Sequence, residues 1–350
     1  MTSPRITLAA WNMHAKKKFG QNFLNDPSVP ELIAERAKIE ESDLVVEIGP
    51  GLGALTVPLS KRASRVCAIE KDTQILPVLR SELLASGADN VEILNEDILN
   101  VSLTEMAEAH GEPIIVVGNL PYNISSQILV QMIRERRWVK KALFMFQKEL
   151  AERITAPEGT RNFGRMAAML GYCSKIRTLV RVDSSKFFPR PKVDSEVIEV
   201  TFLTDPPHVA EDEDLLFAVI KAAFGKRRKN LRNALSNSEL PLSPAEAEEV
   251  LTRAGIAVNR RAESLTVEEF VQLSNALVAY LVESSNSEGV ACASGGLSGA
   301  GFSSVGQTGS ARLQYGTKAG GGCGLFGEGR VTFMRDPLSR WRALASEAAF

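Results

Sequence analysis

Residues 118–123 read Gly-Asn-Leu-Pro-Tyr-Asn, directly after the apolar run Ile114 to Val117. Asn119 carries a side-chain carbonyl. Pro121 stiffens the turn so that the Leu120 backbone carbonyl can point the same way, and Tyr122 offers a ring face to a planar base. Two oxygen acceptors beside an aromatic ring suit an exocyclic amine on a flat heterocycle. The plainer reading of the same residues is a structural Asn-Pro turn.

A second stretch, Glu47-Ile48-Gly49-Pro50-Gly51-Leu52-Gly53, closes an apolar run with glycines. They stand where a strand turns tightly into a helix, so that a ligand can approach the Gly49 and Gly51 backbone. Glu70 stands about 20 positions downstream, where an acid at a strand end can accept hydrogen bonds from both ribose hydroxyls. Asp97, in Asn95-Glu96-Asp97-Ile98, is placed to accept a hydrogen bond from an adenine amino group. Together these spacings predict an adenosine-type cofactor, with a purely structural glycine turn as the alternative. A nicotinamide dinucleotide also uses a Gly-rich turn and an acid, although Pro50 removes a backbone donor here. Glu70 and Asp97 would otherwise be solvated strand-end acids.

Several elements must hold these residues. Leu44–Ile48, Val66–Ile69, Val91–Leu94, Ile114–Val117 and Leu143–Gln147 are short apolar runs separated by helical patterns, the signature of βαβ units and a mostly parallel sheet. Ile198–Phe202 reads as a late strand ending at the turn Asp205-Pro206-Pro207. From Asp212 to about Glu283 the pattern is helical, with Leu215, Leu216, Val219, Ile220, Ala223 and Phe224 on one face and Leu265 to Leu281 as a further helix. The expected plan is an α/β, Rossmann-like class I domain over residues 1–207, a small all-helical domain over 208–285, and a tail over 286–350. Positions 289 to 330 hold 14 of the chain's 26 glycines, with no apolar period. That composition predicts disorder apart from a short helix near Trp341 to Ala349.

The turn after the fourth strand resembles that of the S-adenosylmethionine-dependent methyltransferases acting on base amino groups. Two further stretches narrow the match: Lys18-Phe19-Gly20-Gln21-Asn22-Phe23-Leu24-Asn25-Asp26 and Phe187-Phe188-Pro189-Arg190-Pro191-Lys192-Val193-Asp194-Ser195. From about Lys16 to Glu283 the chain resembles the ribosomal RNA adenine dimethyltransferase family, and within it the branch acting on small-subunit (16S) rRNA. The Gly-rich tail has no counterpart in that family. The resemblance implies methylation of two adjacent adenines near the 3′ end of that rRNA, in an immature subunit, with S-adenosylmethionine as methyl donor. It further implies that Asn22 and Leu24 close over the cofactor, Gly49 lies against it, Glu70 binds its ribose and Asp97 its adenine amine, and Asn119 faces cofactor and substrate. Tyr122 would stack on one face of the base and Phe187 on the other, with Phe188 a neighbouring alternative. Asn119 and the Leu120 carbonyl would accept both amine hydrogens and favour a pyramidal nitrogen facing the methyl group in line.

Such chemistry needs no metal, and His14, His110 and His208 are isolated rather than spaced as ligands. With 41 basic and 42 acidic residues, RNA must be held by local patches. Three clusters stand out: Lys16-Lys17-Lys18; Arg134, Arg136, Arg137, Lys140 and Lys141; and Lys226-Arg227-Arg228-Lys229 with Arg232. The third contains no acid and is the expected RNA contact; the second is equally a solvated face. The first 25 residues carry no acid and read as a basic RNA-contacting arm or plain flexible start, with an organellar leader as the alternative. Apolar content of 44%, no run long enough for a membrane span, and scattered Cys67, Cys173, Cys292 and Cys323 predict a cytoplasmic, monomeric chain without membrane association. Three rivals stand: a non-catalytic RNA-binding assembly factor, a large-subunit rRNA adenine methyltransferase, and a nicotinamide oxidoreductase.

Overall fold

The computed structural model describes residues 3–16, 19–121, 124–226 and 228–294. It forms one large compact unit up to Ala276 and a second beginning at Leu277. In chain order the elements are α1 (Pro4–Ala10), β1 (Phe23–Leu24), α2 (Ser28–Arg36), β2 (Leu44–Ile48), α3 (Thr56–Ser60), β3 (Arg65–Ile69), α4 (Leu76–Ser86) and β4 (Val91–Leu94). Then come α5 (Leu103–His110), β5 (Ile114–Asn119), α6 (Ser125–Arg134), β6 (Val139–Gln147), α7 (Lys148–Ile154), α8 (Arg165–Cys173), β7 (Ser174–Val182), β8 (Phe187–Phe188) and β9 (Ser195–Phe202). The helices α9 (Glu213–Gly225), α10 (Leu231–Leu235), α11 (Pro244–Arg253) and α12 (Val267–Ser294) follow.

Seven strands form one sheet in the order β4-β3-β2-β5-β6-β9-β7. The five from β4 to β6 are parallel, and β9 pairs antiparallel with both β6 and β7. Every residue of β2 is buried, as a central strand covered on both faces requires. Core residues such as Val45, Leu59, Val66, Ile115, Leu143 and Val197 form a continuous apolar cluster. The order reverses at β2, which sends its crossovers to β3 on one side and pairs with β5 on the other. A ligand crevice opens at such a switch point, beyond the carboxyl ends of the strands.

Two strands, 44–48 and 91–94, have the bounds that periodicity predicts, and the others begin earlier or run longer. Strand β7 is absent from the sequence reading. In Ser-Lys-Ile-Arg-Thr-Leu-Val-Arg-Val most side chains are exposed or half-buried, and the segment has no apolar run; it is a strand because β9 pairs along nearly all of it. The two-residue pair of β1 with β8 is likewise invisible locally, since each strand exists only through the other.

The helical segment is capped by Asp212, whose carboxylate accepts from the Leu215 amide. It packs on α8 through an edge contact of Phe217 with Tyr172, and on the turn before α8 through one of Phe224 with Phe163. A partly buried polar tie joins the same parts: Arg136 Nη2 reaches both Glu213 oxygens at 2.6 Å, and the Tyr172 hydroxyl donates to Glu213 Oε1 at 2.9 Å. A reciprocal capping box of Ser243 and Glu246 starts α11. Helix α12 continues to Ser294, into the start of the segment over 286–350 expected to be largely disordered; the rest of that tail, with the helix expected near Trp341, lies outside the described residues. Among the described residues, no helix is long and apolar enough to cross a membrane.

Candidate cofactor and substrate site

The crevice at the carboxyl ends of β2, β3 and β5 is a cavity walled by the 19–24 segment, by Glu47 to Leu52, by Glu70 and Lys71, by Glu96 to Ile98, and by Asn119, Pro121 and Ile124. The structure thus brings Asn22, Leu24, Gly49, Gly51, Glu70, Asp97 and Asn119 to one wall system from five separate segments.

The glycine turn is shaped by backbone conformation. Gly49 and Gly51 have φ of 69° and 56°, in the left-handed region that side chains with a Cβ enter at a cost. Beyond the position of a Gly49 Cβ there is no atom within 4 Å, whereas a Cβ on Gly51 would press on the Phe23 ring at 3.1 Å. Gly49 therefore leaves open space toward the cavity, and Gly51 allows Phe23 to close over the turn.

Glu70 is held from two sides. Its Oε2 accepts from the Gly51 amide at 3.2 Å and its Oε1 from the Asp72 amide at 2.8 Å. A carboxylate has about four acceptor positions, so both oxygens keep capacity for a ligand. Burial pushes the Glu70 carboxyl above its ordinary range, against those backbone hydrogen bonds. Asp97 caps a short 3₁₀ turn by accepting from the Leu99 amide and pairs with Lys71. Burial acts to raise its carboxyl, but the Lys71 ammonium and the Leu99 amide together hold it below the usual range.

Asn119 ends β5. Its Nδ2 donates to the Asn22 carbonyl at 3.0 Å, and Asn22 Nδ2 donates to the Gly20 carbonyl at 3.0 Å. With one amide hydrogen committed to Asn22, the orientation of the Asn119 amide is set and Oδ1 is its acceptor end. Just before it, Gly118 is required by contact: a Cβ there would meet the Ile48 carbonyl and Leu120 Cδ2, both at 2.9 Å.

Other expected site residues are placed differently. Leu120 is buried at 2% exposure and is not itself part of the cavity wall, which at that end is formed by Asn119, Pro121 and Ile124. Tyr122 lies outside the described residues. Phe187, expected to offer a ring to a base, is not among the residues that wall the cavity. Pairing of Leu24 with Phe187 turns its side chain into the core beside Leu24, Val182 and Val197, at 5% exposure. Phe188, opposite Phe23, packs against Phe23 and its apolar neighbours.

The basic clusters also separate. Lys226, Arg228 and Lys229 are exposed, Arg232 pairs with Glu248 at 3.0 Å, and Arg227 lies outside the described residues. Most of the second cluster is engaged internally and does not form the solvated basic face that was one of its readings. Arg136 is held by Glu213, Lys140 by Asp43 at 3.0 Å, and Lys141 by the carbonyls of Ala37 and Lys38. Of the first cluster, Lys16 pairs with Asp72 at 2.7 Å, and Lys17 and Lys18 lie outside the described residues.

The sequence reading did not single out Glu47, although a lone acid within an apolar strand is a visible signal. It lines the cavity at 2% exposure, and its Oε2 has no hydrogen-bond partner. Burial pushes its carboxyl up to about 8, and the neighbouring Glu70 carboxylate adds to the rise. The N-terminal residues Pro4 and Thr7 also line the cavity; no local signal marks them, because their place depends on how α1 packs.

Comparison with known proteins agrees with the arrangement. The profile of the family described as "Ribosomal RNA adenine dimethylase" matches residues 12–278. A protein of Desulforapulum autotrophicum named "Ribosomal RNA small subunit methyltransferase A" is 48% identical over 277 residues, covering 79% of this chain and 97% of that protein. Among solved structures, a dimethyladenosine transferase from Plasmodium falciparum is similar with a TM-score of 0.59 and 26% identity, covering 76% of this chain and 98% of the other. The 23S rRNA methyltransferase ErmE is similar with a TM-score of 0.56 and 27% identity, over 73% and 99%.

Proposed function

The chain belongs to the ribosomal RNA adenine dimethylase family, and from that premise we propose that it transfers methyl groups from S-adenosylmethionine to two adjacent adenines near the 3′ end of small-subunit rRNA. The observation that carries this reading is the placement of Asn119, oriented by Asn22, in the same cavity as Gly49, Glu70 and Asp97.

The residues present fit the cofactor. Open space at Gly49 admits it against the backbone, the two Glu70 oxygens suit two ribose hydroxyls, and Asp97 suits an adenine amine. When bound, S-adenosylmethionine supplies an electrophilic methyl group carried on a sulfonium. The work of the chain is orientation. The lone pair of an adenine amine is delocalised into its ring, so the nitrogen attacks poorly while it stays planar. Asn119 Oδ1 accepts an amine hydrogen and favours the pyramidal form; holding reactants in such a geometry is worth several kcal/mol of barrier. Tyr122 stacks on the displaced base, a contact worth roughly 1–3 kcal/mol. The proton leaves to solvent once the nitrogen is cationic, so no dedicated base is required. Lys226, Arg228 and Lys229 contact rRNA phosphates within an immature subunit.

Incubating the purified protein with labelled S-adenosylmethionine and immature small subunits, then mapping the modified nucleotides, tests the reading. Label on two neighbouring adenines near the 3′ end is expected. Label on large-subunit rRNA instead, or on a base other than adenine, would overturn it.

A further inference from the structure

The described residues of the basic N-terminal segment begin with a helix that contributes to the cavity wall. Helix α1 places Pro4 and Thr7 on the cavity wall and buries Leu8 with Phe23, Leu52, Ile75 and Val78. Its end is a built turn: Asn12 takes φ of 52°, and the Met13 amide donates to the Leu8 carbonyl at 2.8 Å. Met13 and Ala15 pack against the same apolar cluster. The arm then reaches Lys16, whose ammonium meets both oxygens of Asp72 at 2.7 and 2.9 Å, while Gln21 Nε2 donates to Asp72 Oδ2 at 3.0 Å. The Lys16 amide donates to Gln21 Oε1 at 2.8 Å, so Lys16 and Gln21 form a hook closed on a single carboxylate.

Asp72 faces two ways. Its backbone amide donates to Glu70 Oε1, the acid placed at the ribose. Its side chain holds the hook whose next residue, Asn22, orients Asn119. The Asp72 side chain is 4% exposed and Lys16 24%, so this is not the screened surface pair that contributes little; removing Lys16 leaves the buried Asp72 carboxylate without its cation. Burial acts to raise the Asp72 carboxyl, but the hydrogen bonds from Lys16 and Gln21 keep it below its ordinary range.

We propose that Asp72 is a positioning residue for the cofactor, which through Lys16 and Gln21 fastens the N-terminal arm over the cavity and ties that closure to Glu70 and Asn119. The inference rests on the cofactor reading given above. Loosening the hook frees the Phe19–Asn22 wall and the α1 cap together, so cofactor is held less firmly and leaves faster.

The test uses the full chain, with S-adenosylhomocysteine as the binding probe and S-adenosylmethionine as the substrate probe. Lys16→Met, Asp72→Asn and the double variant are each measured by calorimetric titration, by the dissociation rate of the probe and by thermal unfolding without ligand. Each single variant is expected to raise Kd and the KM for S-adenosylmethionine roughly tenfold, with a smaller change in kcat. The double variant should be no worse than the weaker single, because both cut one tie. If the wild type binds and the single variants bind and release as it does, or if the two losses simply multiply, the positioning role is overturned. If the wild type binds neither probe, it is the cofactor reading that fails. Should Asp72→Asn not fold, Lys16→Met decides, since its side chain is partly exposed and outside the apolar core.

Discussion

Asn119 and Asn22, 97 positions apart, are joined by a hydrogen bond of 3.0 Å from the Asn119 side-chain amide to the Asn22 carbonyl. That bond decides which end of the Asn119 amide is left to accept a hydrogen from a substrate. A residue at the end of a central strand is thereby oriented by a loop that also walls the cofactor cavity.

Replacing Asn119 with Ala removes the acceptor, and kcat should fall by a factor on the order of 10²–10³, the size seen when one preorganised polar group is lost from a reaction centre. Asn119→Asp keeps two acceptors but sets a carboxylate against the Asn22 carbonyl, so it should recover only part of the rate. Single-turnover methylation of small subunits distinguishes the two; full activity in Asn119→Ala would contradict the assigned role.

Gly118→Ala tests the strand that carries Asn119. The added methyl meets the Ile48 carbonyl and Leu120 Cδ2 at 2.9 Å, so β5 must move away from β2. Overpacking of this kind costs about 1–3 kcal/mol, read from denaturant unfolding, and the displacement of Asn119 should lower kcat as well. An unchanged unfolding midpoint would show that the contact relaxes without cost.

Glu47 predicts a pH dependence. With its carboxyl raised to about 8 in the folded chain, the folded state keeps a proton that the unfolded state has already lost above the ordinary Glu range. Stability from this group is therefore complete at low pH and is lost as pH rises toward 8. Glu47→Gln should flatten the fall in Tm between pH 5 and pH 8 measured on the ligand-free protein. Parallel curves for variant and wild type would refute the assignment.

Changing Lys226, Arg228 and Lys229 to Gln should weaken rRNA binding and lower the slope of log affinity against log salt by up to about 2, at about 0.7 for each single-strand phosphate no longer neutralised. Changing Arg136 should instead act through the fold, because its guanidinium is bound to Glu213. Filter binding over a salt series separates the cases; an unaltered slope in the triple variant removes this patch from the interface.

Much of the site was legible because its chemistry sits at strand ends that local patterns mark. An apolar run closed by Gly49 and Gly51, an acid after the next run, and Asn119 after the fourth place themselves at one edge once the strands are parallel. The orientation of Phe187, by contrast, is set by long-range pairing. Its neighbours in sequence do not say which face it presents; its pairing with Leu24 does. Arg136, Lys140 and Lys141 read as a basic patch, since their partners Glu213, Asp43 and the carbonyls of Ala37 and Lys38 are remote along the chain.

The order of residue types along the chain by itself determined the parallel sheet, the residues at its carboxyl edge and the family to which they belong, because strand period, turn chemistry and motif spacing are short-range properties. Only the tertiary structure decided that Pro4 and Thr7 of α1 line the cavity, that Lys16 closes on Asp72, and that Asn22 orients Asn119. Those contacts join segments distant in sequence, and their geometry exists only after the sheet has brought the segments within hydrogen-bonding reach.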